Sequence, residues 1–256
     1  MQTNPTIDYM LNRKSIRKYK NEVPADDILE AVVRAGQQAP FAFQTCSLFL
    51  CRNEKKHPYK APWMFTVCVD SHKFELIMAK RDWKMVINNL AYLLLAMQDA
   101  AYVAENMVIA AESFGLGSCY IGQAPYVADK IAEEYDLPQR VFPLVQLVMG
   151  YPAEDPPPRP RFPLDFFLFE DKYPELSDEQ IETAIKVMDE GYKSQDYYKA
   201  INYMIPLEGI KEEKYDFDTY SWTEHISRKL GLWLGDPEEI LTQMKKRGFE
   251  IPVKSE

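Results

Sequence analysis

The run LAYLLLAMQDAAYVAENMVIAA, beginning at Leu90, limits what this chain can fold into more than any other stretch. Its longest clean apolar piece, Leu90–Met97, is far short of the roughly 20 residues a bilayer span requires. Gln98, Asp99, Glu105 and Asn106 interrupt the remainder. The pattern predicts one long buried helix from Asn88 to Phe114, stopped by Gly115 as the left-handed residue beyond its end. Asp99 and Glu105 stand too far apart around that helix to act as an acid pair, and read as solvent-facing or interface carboxylates.

A buried helix needs surfaces to pack on. QTCSLFLCR and WMFTVCVD are β-rich runs about the length of buried strands, and SCYIG and VFPLVQLVMGYP add two more. Around them, NPTIDYMLNR opens a short helix with Asn4 as its cap and Pro5 at the first position. SIRKYK is a brief extended piece. VPADDILEAVVRAGQQAP is a second helix with acids in its first turn, and APYVADKIAEEYDL a third. Helices and strands mix without regular alternation, so the expected class is α+β or three-layered rather than a doubly wound sheet. After Gly150, YPAEDPPPRPRFP is a stiff extended segment that fixes Arg159 and Arg161 two residues apart. Beyond it the chain turns aromatic and charged, with helical patches at 178–192 and 237–248, and reads as packing over the main body. The expected division is 1–163 and 164–256.

The charge is unevenly placed. A net charge of -9 and a pI near 5.0 argue against a general nucleic-acid or membrane-surface role, since both partners are polyanionic. Yet RKSIRKYK carries Arg13, Lys14, Arg17, Lys18 and Lys20 with no acid among them. Arginine forks and a serine hydroxyl suit bidentate phosphate binding, so Arg13, Ser15, Arg17, Arg159 and Arg161 could converge on one anion. The alternative is that Arg13 and Lys14 neutralise the end of the first helix while Arg159 and Arg161 are solvated. MQTNPTIDYM has no secretory leader pattern, and a cytoplasmic protein with reduced cysteines is expected.

Protein-borne chemistry finds no set of residues here. The four cysteines and three histidines fit no zinc or cluster spacing, so no metal is expected. GLGSCYIG follows a helix, not a strand, and is no dinucleotide fingerprint. No nucleophilic triad can be assembled. Either an organic cofactor carries the reaction or there is none.

Four blocks in order carry a resemblance to the FMN-dependent nitroreductase family, from about Tyr9 to Pro163: RKSIRKY (13–19), AGQQAPFAFQTCSLFL (35–50), QDAAYVAENMVIAAESFGLGSCYIG (98–122) and PLVQLVMGYPAEDPPPRPRFP (143–163). YSWTEHISRKLG and LTQMKKRGFEI resemble the C-terminal extension of its NADPH-linked branch.

The resemblance implies a homodimer of α+β, three-layer subunits, each with a central mixed, mainly antiparallel sheet flanked by helices. One FMN per subunit would lie at the dimer interface, in a nitroreductase-like core (1–163), with 164–256 as a C-terminal extension packing on the core and the partner. Arg13 and Ser15, helped by Arg161 and Arg159, would hold the phosphate and ribityl oxygens. Lys14 would line the flavin through its backbone or stem, and Arg17 would face the N1 and O2 edge. Ile121 and Gly122 would offer backbone groups to the N5 and O4 side, while Gln44 or Thr45 would contact the pyrimidine edge. Phe41 and Phe43 depart from the family pattern and would make the site more apolar. The implied reaction is ping-pong: NADPH or NADH reduces FMN, and a nitroaromatic, quinone or flavin reoxidises it with no catalytic side chain. A non-catalytic flavin-binding or sensing protein, an ene-reductase or dehalogenase on the same scaffold, and a plain interaction protein are the alternatives.

Overall fold

The computed structural model describes residues 1–87, 89–232, 236 and 238–251. Along them run α1 (Pro5–Asn12), α2 (Asp26–Gln37), β1 (Cys46–Cys51), β2 (Trp63–Asp70), α3 (His72–Ala79), α4 (Asn89–Ser113), β3 (Gly117–Ile121), α5 (Ala128–Glu134) and β4 (Val141–Gly150). Next come α6 (Asp178–Lys193), α7 (Tyr197–Ala200), α8 (Trp222–Leu232) and α9 (Glu239–Lys246). The local signals act as expected. Asn4 Oδ1 accepts the Ile7 amide at 3.1 Å to start α1, and Gly115 takes φ +74 just past the end of α4. α3 occupies a stretch the sequence reading left without an element; its Leu76 and Ile77 are exposed, which blurs the apolar stripe.

The strands pair antiparallel throughout, in the order β1-β2-β4-β3. Among the described residues, the mixed character the resemblance implies is confined to a parallel bridge between Ser15 and Ser118 at the outer edge of β3. β2 is buried along its whole length. Its Trp63 and Phe65 join Val32 of α2 and Met107, Val108 and Ala111 of α4, and Val67 meets Ala100 and Ala104. Its Cys68 packs with Ala124, Ile131 and Ala132. Strand alternation therefore sends α2 and α4 to one face and α5 to the other.

By length and composition α4 could cross a membrane. Here it is a core helix, with a buried face from Tyr92 to Ala111. Its approach to α2 is close: a Cβ on Gly36 would stand 2.6 Å from Met107 Cγ.

Met1–Pro156 and the chain from Glu238 form one compact unit, and Pro157–Pro237 a second. In the first, α9 returns to the sheet. Phe249 meets Phe142 edge to face at 6.3 Å, and the buried Arg247 donates to the carbonyls of Leu137 (2.8 Å), Val141 (3.2 Å) and Pro138. The amide of Arg140 in turn donates to Arg247 O at 2.8 Å. In the second, Tyr192, Tyr198, Tyr220 and His225 form an aromatic cluster between α6, α7 and α8.

Candidate cofactor site

After α1 the chain runs extended along the edge of β3. Ile16 N donates to Ser118 O at 2.8 Å, Lys20 N to Tyr151 O at 2.8 Å and Ala153 N to Lys18 O at 2.9 Å. Glu154 closes the segment from outside, its Oε1 accepting the amides of Arg17 (2.5 Å) and Lys18 (3.1 Å). Ile16 is the anchor, 3% exposed, and alternation turns Ser15 and Arg17 the other way. This docking requires Gly117, where a Cβ would stand 2.5 Å from Ile16 Cγ1.

Acids answer much of the positive charge. The Arg13 guanidinium lies over the Tyr120 ring at 5.5 Å, and the Tyr120 hydroxyl donates to Glu105 Oε2 at 2.9 Å. Burial raises the Glu112 carboxyl to about 7; Glu105 adds to the rise, while Arg13 and Lys14 oppose it. Lys14 Nζ pairs with Asp155. Asp99 has a different role from the one its sequence suggests. It is 2% exposed, not solvent-facing, and its carboxylate gathers the amides of Ala42 (2.6 Å), Phe43 (3.0 Å) and Thr45 (3.3 Å). The Thr45 hydroxyl also donates to it, at 3.1 Å. Partners so distant in sequence gave no signal along the helix.

The fold brings Arg13, Lys14, Ser15, Ile121 and Gly122 to one sheet edge. The residues there suit a phosphate-bearing cofactor: a guanidinium and a hydroxyl stand two residues apart in the docked segment, and the hydroxyl of Ser118, whose backbone bridges to Ser15, is buried without a partner. At Gly122 nothing stands within 4 Å of where a Cβ would be, leaving backbone open to approach. The turn at Tyr59 and Lys60 offered no sequence signal. Both residues are left-handed (φ 59 and 53), next to Ala61, which packs in one cluster with Tyr19 and Ile121. Strain of this kind clusters at functional sites.

Gln44 and Thr45 lead into β1, the opposite edge, three strand spacings or roughly 14 Å away. Helices cover both faces between. Gln44 is exposed with φ +56, beside a hollow shared with Gln37, Cys46 and Lys73. Arg159 and Arg161 belong to the second unit. There Arg159 lies over the Tyr197 ring at 4.1 Å and donates to Gln195. The exposed Arg161 turns its Nη1 to the carbonyls of Arg159 and Pro160, both at 3.0 Å.

The profile of the nitroreductase family matches residues 10–65 and 50–151. This chain belongs to the nitroreductase family. It is similar to the FMN reductase (NADPH) of Bacillus subtilis (strain 168), 31% identical over 186 residues that span 66% of this chain and 75% of that protein. An NADPH-dependent oxidoreductase of Staphylococcus aureus (strain MSSA476) is 29% identical over 254 residues, 92% of this chain and 94% of its own. The solved structure of the hypothetical oxidoreductase YcnD from Bacillus subtilis superimposes with a TM-score of 0.80 at 26% identity, covering 97% of this chain and 99% of that one.

Proposed function

We propose that this protein is an FMN-dependent NAD(P)H oxidoreductase working by a ping-pong mechanism on a nitroaromatic, quinone or free flavin. The observation that carries the reading is the docking of the Arg13–Arg17 segment on β3, which sets Ser15 beside Ser118 on the edge that also carries Ile121 and Gly122. Relatives named FMN reductase and NADPH-dependent oxidoreductase support it.

Arg13 and Ser15 would hold the cofactor phosphate. Lys14, its ammonium occupied by Asp155, would contribute backbone and stem. Arg17 would set a fixed cation at the pyrimidine edge, and Ile121 and Gly122 would present backbone groups to the opposite side. When bound, the flavin accepts hydride from NADPH or NADH and passes the electrons to the acceptor.

Gln44 and Thr45 sit on the far edge, with two strands and their covering helices between them and a flavin held by Arg13 of the same chain. They suit one held by a second copy, and this supports a homodimer with shared sites. Of the two, the exposed Gln44 would carry the contact, since the amide and hydroxyl of Thr45 both donate to Asp99 and its carbonyl accepts the Asp70 amide.

The test is anaerobic titration of the FMN-loaded protein with NADPH and with NADH. Loss of the yellow flavin absorbance, restored by a nitroaromatic or quinone, is expected. Absorbance unmoved by either nicotinamide would overturn the enzyme reading in favour of a flavin-binding sensor.

A further inference from the structure

Tyr120 stands on the edge strand β3 with its ring turned toward α4. Strand alternation sends Cys119 and Ile121 to the other face, where both join the cluster around Met64 and Val148. The Tyr120 ring packs on two parts of the core at once, one around Trp63 and Phe65, the other around Val67, Ala100 and Ala104. That packing is its main hold. The bond from its hydroxyl to Glu105 Oε2, at 2.9 Å, is the weaker one, since Glu105 is exposed.

The Arg13 guanidinium lies over this ring, 5.5 Å from its centroid. Arg13 is half-buried, and among the described residues it makes no salt bridge. Stacking on a ring face leaves the N–H fork of an arginine in plane and available to an incoming anion. Ser118 lies two positions before Tyr120 on the same strand and so shares its face, and the hydroxyl it buries there has no partner. The stacked cation and the orphan hydroxyl therefore belong to one side of the edge strand.

We propose that Tyr120 is a positioning residue for the cofactor: its ring, seated on the core, holds the Arg13 guanidinium ready for the FMN phosphate and so sets how strongly the site prefers FMN to riboflavin. This rests on the flavin reading above. A cation held in place before the ligand arrives loses less rotamer freedom on binding, and that saving appears as affinity. Tyr120 itself need not touch the flavin.

The experiment compares dissociation constants of FMN and riboflavin for the full chain, read by flavin fluorescence. Riboflavin keeps the ring system and ribityl chain and lacks only the phosphate. Tyr120→Phe keeps the ring and should hold FMN within about twofold of wild type. Tyr120→Ile suits a strand but has no ring; it should weaken FMN about fivefold, the scale of one cation–π contact, and leave riboflavin unchanged. In an Arg13→Ala chain the same change should add nothing. If Tyr120→Ile does not fold, a fluorinated phenylalanine at position 120 keeps the shape, strips the negative ring face, and should bind FMN about threefold more weakly than Tyr120→Phe. Equal losses for FMN and riboflavin, additive losses in the double variant, or indifference to the fluorinated ring would overturn the proposal. Wild-type FMN affinity in Tyr120→Ile, with Arg13→Ala weakened, sinks this inference alone. Wild-type FMN affinity in Arg13→Ala sinks the phosphate role of Arg13 with it.

Discussion

The Thr45 hydroxyl donates to the Asp99 carboxylate at 3.1 Å, joining the start of the edge strand to the middle of the core helix. With three backbone amides converging on the same group, the loop at 42–45 has one shape set by a single side chain. Asp99→Ala would leave these donors buried and unpaired. A loss of about 3 kcal/mol in urea unfolding is expected, with a smaller loss for Asp99→Asn, which keeps one acceptor oxygen. Unchanged stability in Asp99→Ala would show that the loop finds other partners.

Gly117 links the core to the candidate site. Gly117→Ala puts a methyl group against Ile16 and should shift Ser15 outward, costing about 1–3 kcal/mol and weakening FMN retention. Adding Ile16→Ala removes the opposing atoms and should restore part of the retention, which flavin fluorescence after gel filtration would measure.

Under the proposed reading, Arg17 would face the charge that develops on the reduced flavin. Arg17→Ala should lower FMN retention or slow its reduction by about tenfold, the scale of one charge-assisted hydrogen bond. Retention and reduction both at the wild-type level would remove Arg17 from the site.

Burial lifts the Glu112 carboxyl from its ordinary 4.5 to about 7. The folded state therefore binds this proton more tightly than the unfolded chain does. The sign follows: stability from this group is present below pH 4.5 and is lost as pH rises toward about 7. Denaturation measured across that window should show the decline, and Glu112→Gln should flatten it.

Arg247 satisfies three carbonyls between α5 and β4. Arg247→Ala should cost about 3 kcal/mol in thermal or urea unfolding, and Arg247→Lys should recover little because one ammonium cannot reproduce the fork.

Much of the fold could be read directly from the sequence. The core helix, the strands and the caps at Asn4 and Gly115 follow from short-range periodicity and turn chemistry, and the structure has them within a few residues. The antiparallel strand order β1-β2-β4-β3 is a matter of long-range pairing and left no local trace. The clustering of Arg13, Ser15, Ile121 and Gly122 was legible only through motif resemblance. Their separation from Gln44 was not, because distance across a sheet depends on strand order. Asp99 read as a solvent-facing or interface acid; its role in holding a loop left no trace along the helix, because its partners lie more than fifty residues earlier. α3 escaped because its apolar residues are divided between exposed and packed faces.

The chain leaves the first unit at Pro156 and rejoins it at Glu238, where the Arg140 amide and the Arg247 side chain fasten the two flanks to each other. A protease that nicked the stretch between them would cut the backbone without releasing either piece. Nicked material should travel as a single species in native electrophoresis and come apart into fragments only in detergent.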